Sequence, residues 1–329
     1  MDRWCEEPVN TTANHTIFVP GSDRKGGYRL MSKLTAGKLR KDRISPIIYL
    51  MTVPAFVLFF AFHTFPALQG IFYSFTNWNG LNPTFKMVGF KNYIDLIHDS
   101  NILKTYSFTF RFAILATILV NILSLILALG LNAKIYGRNF FRAVYFLPNV
   151  LSVIIIGFIF KYIFGNILPD IGKALEIAWL SKNILGTKEY AWIGVVVVAV
   201  WQSAAMNTIL YISGLQTVPE ELYESSSIDG ANQLQNFWHI TFPIIAPFFT
   251  INMVLAMKGF LMVFDHIMGL TGGGPGNVTR SISILIFQSG IAENEFAYQS
   301  ANAVVYLIFI MTVSILQIRF LQKREMKYE

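Results

Sequence analysis

Six long apolar stretches dominate this chain of 329 residues and limit what it can fold into. A helix needs about 20 mostly apolar residues to cross the hydrocarbon core of a bilayer. Charged residues make up 14% of the chain, against about a quarter in an ordinary soluble domain. The sequence therefore predicts an all-α polytopic membrane protein with six transmembrane helices, at residues 46–72, 105–131, 144–164, 191–214, 244–268 and 300–320.

The lysines and arginines between these stretches are unevenly distributed. Sixteen of the 26 lie in residues 1–45, in the loop 132–143 and in residues 319–329 at the C-terminal end. Because cytoplasmic loops carry an excess of Lys and Arg, both the N- and C-termini are predicted to be cytoplasmic. The basic residues flank apolar runs and do not cluster on soluble surface, so the net charge of +7 does not indicate a nucleic-acid partner.

The predicted membrane domain is flanked by two polar ends. Residues 1–45 are predicted to be a polar, basic and partly disordered N-terminal segment. Residues 46–321 are predicted to hold the six helices, and residues 322–329 a basic cytoplasmic tail. Cys5 is the single cysteine, so no intramolecular disulfide is possible, and the five histidines show no metal-binding spacing. No metal site is predicted.

The loop between the fourth and fifth spans breaks the charge pattern, because it holds four carboxylates and no Lys or Arg. Pro219 suits the first position of a helix, and Glu220 and Glu221 favour the positive end of the helix dipole. Gly230 fits the position after a helix, and Pro243 is expected to redirect the chain into the fifth span. These signals predict two short helices joined by a turn. The loop either packs on the protein's own helices or docks a soluble cytoplasmic partner.

This loop, residues 217–243, also matches a known motif in the identity and spacing of its residues. It reads Glu224-Ser225-Ser226-x-x-Asp229-Gly230-Ala231, and after eight more residues Ile240-x-Phe242-Pro243. The pattern resembles the EAA loop of ABC importer permeases, which is Glu-Ala-Ala, three residues, Gly, nine residues and Ile-x-Leu-Pro. Two serines stand where the alanines are usual, and a phenylalanine stands for the leucine.

Two further segments carry the same resemblance, "FRAVYFLPNVLS" at 141–152 and "VFDHIMGLTGGGPGNVT" at 263–279. Together they resemble the permeases of binding-protein-dependent carbohydrate uptake. The similarity is to the maltose-type first permease subunit class, which carries Gly-Gly-Pro before its last span. It extends over most of residues 45–325 and implies the type I ABC importer fold.

In this family the EAA loop forms a coupling helix that docks on a dimer of separate ATPase subunits. The resemblance therefore implies a coupling role for the residues of the motif and its flanks: Glu220, Glu224, Ser225, Ser226, Asp229, Gly230, Ala231 and Pro243. The chain has no G-x-x-x-x-G-K-[ST] sequence, so it is expected not to be an enzyme. No cofactor is expected in this chain, and ATP and magnesium are expected on the partner ATPase.

The family also implies further partners and a location. A second homologous permease subunit is expected, as a heterodimer, together with an extracytoplasmic sugar-binding protein and the surrounding lipid bilayer. The expected location is the bacterial or archaeal cytoplasmic membrane. The glycine-rich run 271–276 lacks the Lys and Ser/Thr of a P-loop. It is either a flexible turn or, as the family implies, a gate-side outer loop at Gly273, Gly274 and Pro275.

Polar and aromatic residues within the predicted spans are candidates for a substrate pathway: Asn149, Ser152, Trp201, Gln202, Ser203, Asn207, Tyr211, Lys258 and Asp265. Asn149 and Ser152 are expected one helical turn apart, and Asp265 two turns after Lys258 on the same helical face. Amides and aromatic faces suit a sugar. The same polar side chains can instead hydrogen-bond neighbouring helices.

The leading interpretation is the membrane subunit of an ATP-driven importer for a di- or oligosaccharide. A glycerol-phosphate or polyol importer is the alternative, because Lys258 within a span would suit an anionic substrate. An independent secondary transporter would require inverted repeats and several carboxylates inside the spans, which the sequence does not show. An integral-membrane enzyme would require a catalytic constellation, and none is recognisable.

Overall fold

The computed structural model describes residues 46–133 and 136–325, and the regular elements of these residues are all helical. In chain order the α-helices are α1 Pro46–Phe59, α2 Phe65–Tyr73, α3 Lys91–His98, α4 Ser100–Asn132, α5 Arg138–Val150, α6 Val153–Tyr162, α7 Leu168–Ala174, α8 Ala191–Leu215, α9 Glu220–Ile228, α10 Gln233–Asn236, α11 Phe242–Leu261, α12 Asp265–Leu270, α13 Ile282–Phe287 and α14 Phe296–Glu325. Five-residue π-helical turns occur at Phe60–Thr64, Ile163–Ile167, Phe237–Thr241 and Gln288–Ala292.

The predicted N-terminal segment 1–45 lies outside the described residues, as do residues 326–329 of the predicted tail. Helix α14 runs to Glu325, past the predicted end of the membrane domain. Of the described residues, 46–59 belong to one compact unit and 60–325 to another. The first unit contributes helix α1, and every other helix belongs to the second.

Six helical stretches in the described part of the chain are long and apolar enough to cross a membrane: Met51–Tyr73, Ser100–Asn132, Val153–Ala174, Ala191–Leu215, Gln233–Leu261 and Phe296–Lys323. The predicted all-α architecture with six spanning helices is confirmed. The bounds of the third and fifth spans differ most from the prediction, by seven to eleven residues at each end.

The third spanning helix starts later than predicted, because the chain is extended between α5 and α6. Leu151 and Ser152 have ψ angles of 142° and 131°. In a continuous helix the carbonyl of Pro148 would accept from the backbone N–H of Ser152. Here the side-chain amide of Gln202 donates to the carbonyl oxygens of Pro148 and Leu151, both at 3.2 Å. Asn149 and Ser152 therefore do not lie one turn apart on a single helix.

The fifth spanning helix starts earlier than predicted, and Pro243 does not redirect the chain. Helix α10 continues through the π turn Phe237–Thr241 into α11, as one spanning helix from Gln233 to Leu261. The π turn lies just before Pro243. It displaces the backbone carbonyls with which the proline ring would clash in a regular α-helix. The prediction of a separate second helix in the loop is therefore wrong.

The same spanning helix also ends earlier than predicted. The carbonyl of Leu261 accepts a hydrogen bond from the hydroxyl of Tyr306 on α14. Asp265 begins the separate short helix α12. Lys258 and Asp265 consequently do not share a helical face, contrary to the prediction.

Helices α4 and α8 pack together at the centre of the second unit. Their contact contains small residues, including Ala113, Ala199 and Ala204, none of which is exposed. The hydroxyl of Tyr211 donates to the Asn121 side-chain oxygen at 2.7 Å and joins the two helices. Close packing of small residues and hydrogen bonds between helices are typical of membrane bundles.

Candidate functional sites in the EAA loop and the central cavity

Helix α9 of the EAA loop (residues 217–243) ends as its sequence predicts and begins one residue later than predicted. Pro219 occupies the position before the first turn, and Glu220 and Glu221 lie in that turn. Gly230 has a φ of +76°, where a residue with a side chain is strained. The N–H groups of Gly230 and Ala231 bond to carbonyls of the last helical turn, at 3.2 and 2.9 Å. This is the hydrogen-bond pattern of a Schellman motif.

The serines that replace the usual alanines bond to carbonyls of their own helix. Ser225 Oγ donates to the carbonyl of Glu221, and Ser226 Oγ donates to the carbonyl of Tyr223 at 2.9 Å. Ser/Thr hydroxyls commonly bond back in this way to the preceding turn of a helix. The two hydroxyls therefore need no partner outside the helix. Serine, like the usual alanine, has a small side chain at these positions.

The EAA loop has two arms, α9 and the helical stretch that begins with α10. The second arm starts with a capping box. The Asn232 side chain accepts from the N–H of Gln235 at 2.9 Å, and the Gln235 side chain accepts from the N–H of Asn232 at 2.8 Å. The hydroxyls of Tyr223 and Thr241 lie 2.7 Å apart and join the two arms. A shallow cavity of about 290 Å³ lies between the arms, lined by Ser226, Asp229, Gly230, Ala231, Gln235, Asn236, His239 and Ile240.

The EAA loop exposes apolar side chains together with its carboxylates. Ile228 is 88% exposed, and Leu234 and Trp238 are more than half exposed. Glu224 and Asp229 are also exposed. If the loop only packed against the protein's own helices, these apolar side chains would be covered. The arrangement instead offers a small, acidic and partly apolar surface that another protein can contact.

A central cavity of about 390 Å³ brings four of the predicted pathway residues together. Asn149 at the end of α5, Ser203 and Asn207 on α8, and Asp265 at the start of α12 all line it. The other lining residues are Met206, Leu210, Leu255, Ala256, Gly259, Phe260, Met262, Val263, Phe264 and His266. The cavity thus combines hydrogen-bonding side chains with a mostly apolar wall, which is the usual composition of a small-molecule site.

The remaining predicted pathway residues do not line this cavity. Gln202 is buried and bonds the α5–α6 connection, and Tyr211 is buried and bonds Asn121. Trp201 packs against Phe160 with 5.3 Å between the ring centroids. For Gln202 and Tyr211 the structure thus shows the alternative interpretation, hydrogen bonding between helices.

Two further predicted pathway residues also lie elsewhere. Ser152 precedes the first turn of α6. Lys258 is exposed on α11 and is absent from the cavity lining.

His266 also lines the cavity, although no sequence pattern singles it out beyond its place directly after Asp265. Its Nε2 atom lies 3.1 Å from the side-chain oxygen of Gln202. Burial lowers the pKa of His266 to about 4, against an opposing effect of the Asp265 carboxylate. The neutral imidazole therefore donates to Gln202 at pH 7 and connects the cavity wall to the α5–α6 connection. Only its position beside a predicted pathway residue could have signalled this role.

A pair of glycines positions α12 against α6. A Cβ atom added to Gly157 on α6 would lie 2.9 Å from the Cα atom of Gly269 on α12. That is closer than real Cβ atoms come to backbone, so only glycine at position 157 permits this approach. The glycine pair thus holds the helix that carries Asp265 and His266 against the third spanning helix.

The loop after α12, which is predicted to lie on the outer side, forms a hydrogen-bonded turn. Gly272 and Gly273 have φ angles of +61° and +95°. The hydroxyls of Thr271 and Thr279 lie 2.8 Å apart, and Thr279 also donates to the carbonyl of Gly274 at 2.6 Å. These hydrogen bonds connect residues 271 and 274 to residue 279 across the base of the turn. The predicted gate role of Gly273, Gly274 and Pro275 stays a prediction.

Comparison with known proteins identifies the family that the sequence motifs resemble. The family model described as "Binding-protein-dependent transport system inner membrane component" matches residues 120–326. The multiple sugar-binding transport system permease protein MsmF of Streptococcus mutans is 41% identical over 82% of this chain and 93% of its own length. The probable starch degradation products transport system permease protein AmyD of Thermoanaerobacterium thermosulfurigenes is 37% identical over 80% of this chain and 89% of its own length.

A solved structure shares the fold. It belongs to a bacterial ABC transporter involved in the import of the acidic polysaccharide alginate. Its TM-score is 0.71 at 20% identity, and the match covers 91% of this chain and 99% of the other. With the six spanning helices and the family match, this shows that the chain belongs to the binding-protein-dependent transport system inner membrane components, the permease family of ABC importers.

Proposed function

We propose that this chain is the membrane-spanning subunit of an ATP-driven importer for a di- or oligosaccharide delivered by an extracytoplasmic binding protein. The observation that carries the proposal is the central cavity, where amide, hydroxyl, carboxylate and imidazole groups line one space. Such groups can hydrogen-bond sugar hydroxyls, and the apolar wall suits the faces of sugar rings. Relatives named for multiple sugars and for starch degradation products support this substrate class.

The composition of the cavity favours a neutral substrate over glycerol phosphate. A phosphate group requires cationic or N–H donors, and Arg and Lys are its usual side-chain partners. Lys258, which motivated that alternative, is not among the lining residues, and no other Lys or Arg is. The carboxylate of Asp265 would also repel an anion. We therefore retain a neutral sugar as the proposed substrate.

Replacing Asp265 by alanine tests the cavity. We expect uptake at limiting sugar to fall about 10- to 100-fold, because a hydrogen bond to a charged group contributes about 1.5–3 kcal/mol. The measurement is the initial rate of labelled oligosaccharide uptake against concentration, in proteoliposomes that hold the complete transporter. Asp170→Ala is the matched control, since Asp170 is exposed and pairs with Lys173 outside the cavity. Equal rates and KM in both variants would remove the cavity from the pathway.

The EAA loop is proposed to dock on a separate ATPase dimer, which would bind ATP and magnesium. Its exposed Glu224 and Asp229 offer partners for Arg or Lys, and Ile228 offers an apolar contact. Ser225 is exposed, and its small side chain allows close approach, whereas Ser226 is buried. ATP-driven closure of the ATPase dimer would move the docked loop and switch the access of the cavity.

Gly230→Val is expected to weaken ATPase association without a steric clash. A Cβ atom at Gly230 would meet nothing within 4 Å, but its φ of +76° strains a β-branched residue. The strain costs about 1–2 kcal/mol, which corresponds to about a 5- to 30-fold loss of affinity if the loop must keep this turn to dock. Gly89→Val is the control, with a φ of +62° and open space. Equal ATPase affinity in both variants, measured with purified subunits, would contradict a docking role for the turn.

The proposed assembly and location follow from the family. A second homologous permease subunit, as a heterodimer, would complete the pathway. The outer loop at Gly273, Gly274 and Pro275 would lie near the docked binding protein. We propose the bacterial or archaeal cytoplasmic membrane as the location, with both termini and the EAA loop on the cytoplasmic side. The excess of Lys and Arg at the termini and in the loop 132–143 supports this orientation.

A further inference from the structure

Two cations on the first half of α4 have no partner in the described part of the chain. Lys104 and Arg111 are exposed, and neither forms an ion pair or a hydrogen bond there. Both line a cavity of about 580 Å³ between α4 and the start of α8. An unpaired charge on a membrane helix is costly and requires a partner, a water-filled space or a path to the interface.

This cavity is called the α4 groove. Its lining is cationic at one end and apolar at the other. The polar end contains Lys104, Ser107 and Arg111, and the apolar end contains Phe112 and Leu115. Phe108 and Trp192 complete the lining, and Trp192 is 39% exposed. Ser107 is the single uncharged polar side chain, so a sugar would find few hydroxyl partners there. The gradient from cationic to apolar instead matches an amphipathic molecule.

A second cavity continues the polar end of the groove. It has a volume of about 440 Å³ and shares Lys104 and Phe108 with the α4 groove. Its polar lining includes Asn101, Asn277 and Arg280. The Nε atom of Arg280 is buried without a hydrogen-bond partner among the described residues. Arg280 Nη2 donates to Ser289 Oγ at 3.0 Å, and the positive charge of this lining side chain would attract an anionic headgroup.

The length of α4 places the cations near a membrane interface. At 33 residues, the helix is about 50 Å long, so it exceeds a hydrocarbon core of about 30 Å by about 10 Å at each end. Lys104 would then lie at headgroup level, and Arg111 about one turn inside the core. A long Arg side chain at that depth reaches towards the interface. Both cations can therefore meet a lipid phosphate.

We propose that the α4 groove binds an anionic phospholipid. Its phosphate lies between Lys104 and Arg111, its headgroup reaches towards Arg280, and one acyl chain packs on Phe112, Leu115 and Trp192. Basic pockets between membrane helices on the cytoplasmic side are known to bind anionic headgroups. In the proposed orientation the α4 groove would present the same kind of lining to the outer leaflet. This site is separate from the central cavity, whose lining shares no residue with the α4 groove.

The test measures lipid retained by the complete transporter in nanodiscs of one part phosphatidylglycerol to three parts phosphatidylcholine. After extraction into detergent, bound lipid is quantified by mass spectrometry. We expect phosphatidylglycerol to be enriched on the wild type, and K104Q/R111Q to reduce that enrichment about 25-fold, at about fivefold per cation. The control K161Q/K173Q removes two exposed cations outside both cavities and should retain the lipid.

A second variant keeps the proposal falsifiable if K104Q/R111Q fails to assemble. Leu115→Gln places a polar group at the apolar end of the groove and should lower retention, whereas Leu103→Gln, exposed on the same helix outside the groove, should not. Retention at the wild-type level in K104Q/R111Q or in L115Q would overturn the proposal. Displacement of the lipid by excess inorganic phosphate or by an acidic oligosaccharide would also overturn it, because the site would then need no acyl chain.

Discussion

A Glu224→Lys variant is expected to bind its ATPase subunit about 100-fold more weakly than the wild type and to lose sugar uptake. Glu224 is exposed on α9, within a loop that has no Lys or Arg over residues 217–243. Removal of one partner of a buried interfacial charge pair costs about 2–5 kcal/mol. In the proposed docking, lysine would also repel the cation that pairs with Glu224. The measurement is the affinity of purified ATPase for the permease complex, alongside copurification.

The matched control is Glu221→Lys, which makes the same charge change one turn earlier on α9. Glu221 is exposed and lies outside the Glu224-Ser225-Ser226 motif. We expect this variant, and the double variant Ser225→Ala/Ser226→Ala, to keep affinities within a few-fold of the wild type. The serine hydroxyls already bond to their own helix. If E224K binds ATPase as well as E221K does, Glu224 is not the docking residue.

Gly157→Ala is expected to destabilise the protein by about 1–3 kcal/mol, the usual cost of adding volume to a tightly packed contact. The new methyl would lie 2.9 Å from the Cα atom of Gly269, and two backbones must separate to admit it. Because α12 carries Asp265 and His266, its displacement should also reduce uptake. Thermal unfolding in detergent and uptake in proteoliposomes measure the two effects.

Gly130→Ala is the matched control for this contact. Gly130 lies near the end of α4, and an added Cβ atom would meet nothing within 4 Å. Alanine is a better helix former than glycine, so this variant should be neutral or slightly stabilised. An equally stable Gly157→Ala variant with full uptake would show that the contact between α6 and α12 is not required.

The elements that were predicted correctly depend on local sequence. Long apolar runs identified six spanning helices. Pro219 and Gly230 identified the two ends of α9, because each residue type suits the backbone at its position. The type I importer fold followed from the motif resemblance.

The errors arose where distant residues decide the local backbone. At the break after α5 the Gln202 amide, more than 50 positions away, bonds the freed carbonyl of Pro148, and at the end of α11 the Tyr306 hydroxyl bonds the carbonyl of Leu261. A π turn let the helix continue through Pro243, and the sequence showed no sign of it. Because the breaks were missed, the sequence placed Asp265 on one helix with Lys258, and it did not identify His266 as part of the cavity wall.

The most direct test of the proposed function is ATP-dependent uptake of a labelled neutral oligosaccharide into proteoliposomes. The vesicles hold this chain, the second permease subunit and the ATPase, and the loaded binding protein is added outside. Each component is then omitted in turn. We predict uptake only in the complete system with ATP, and none when the ATPase or the binding protein is absent. Uptake by this chain without the ATPase would contradict the proposed function.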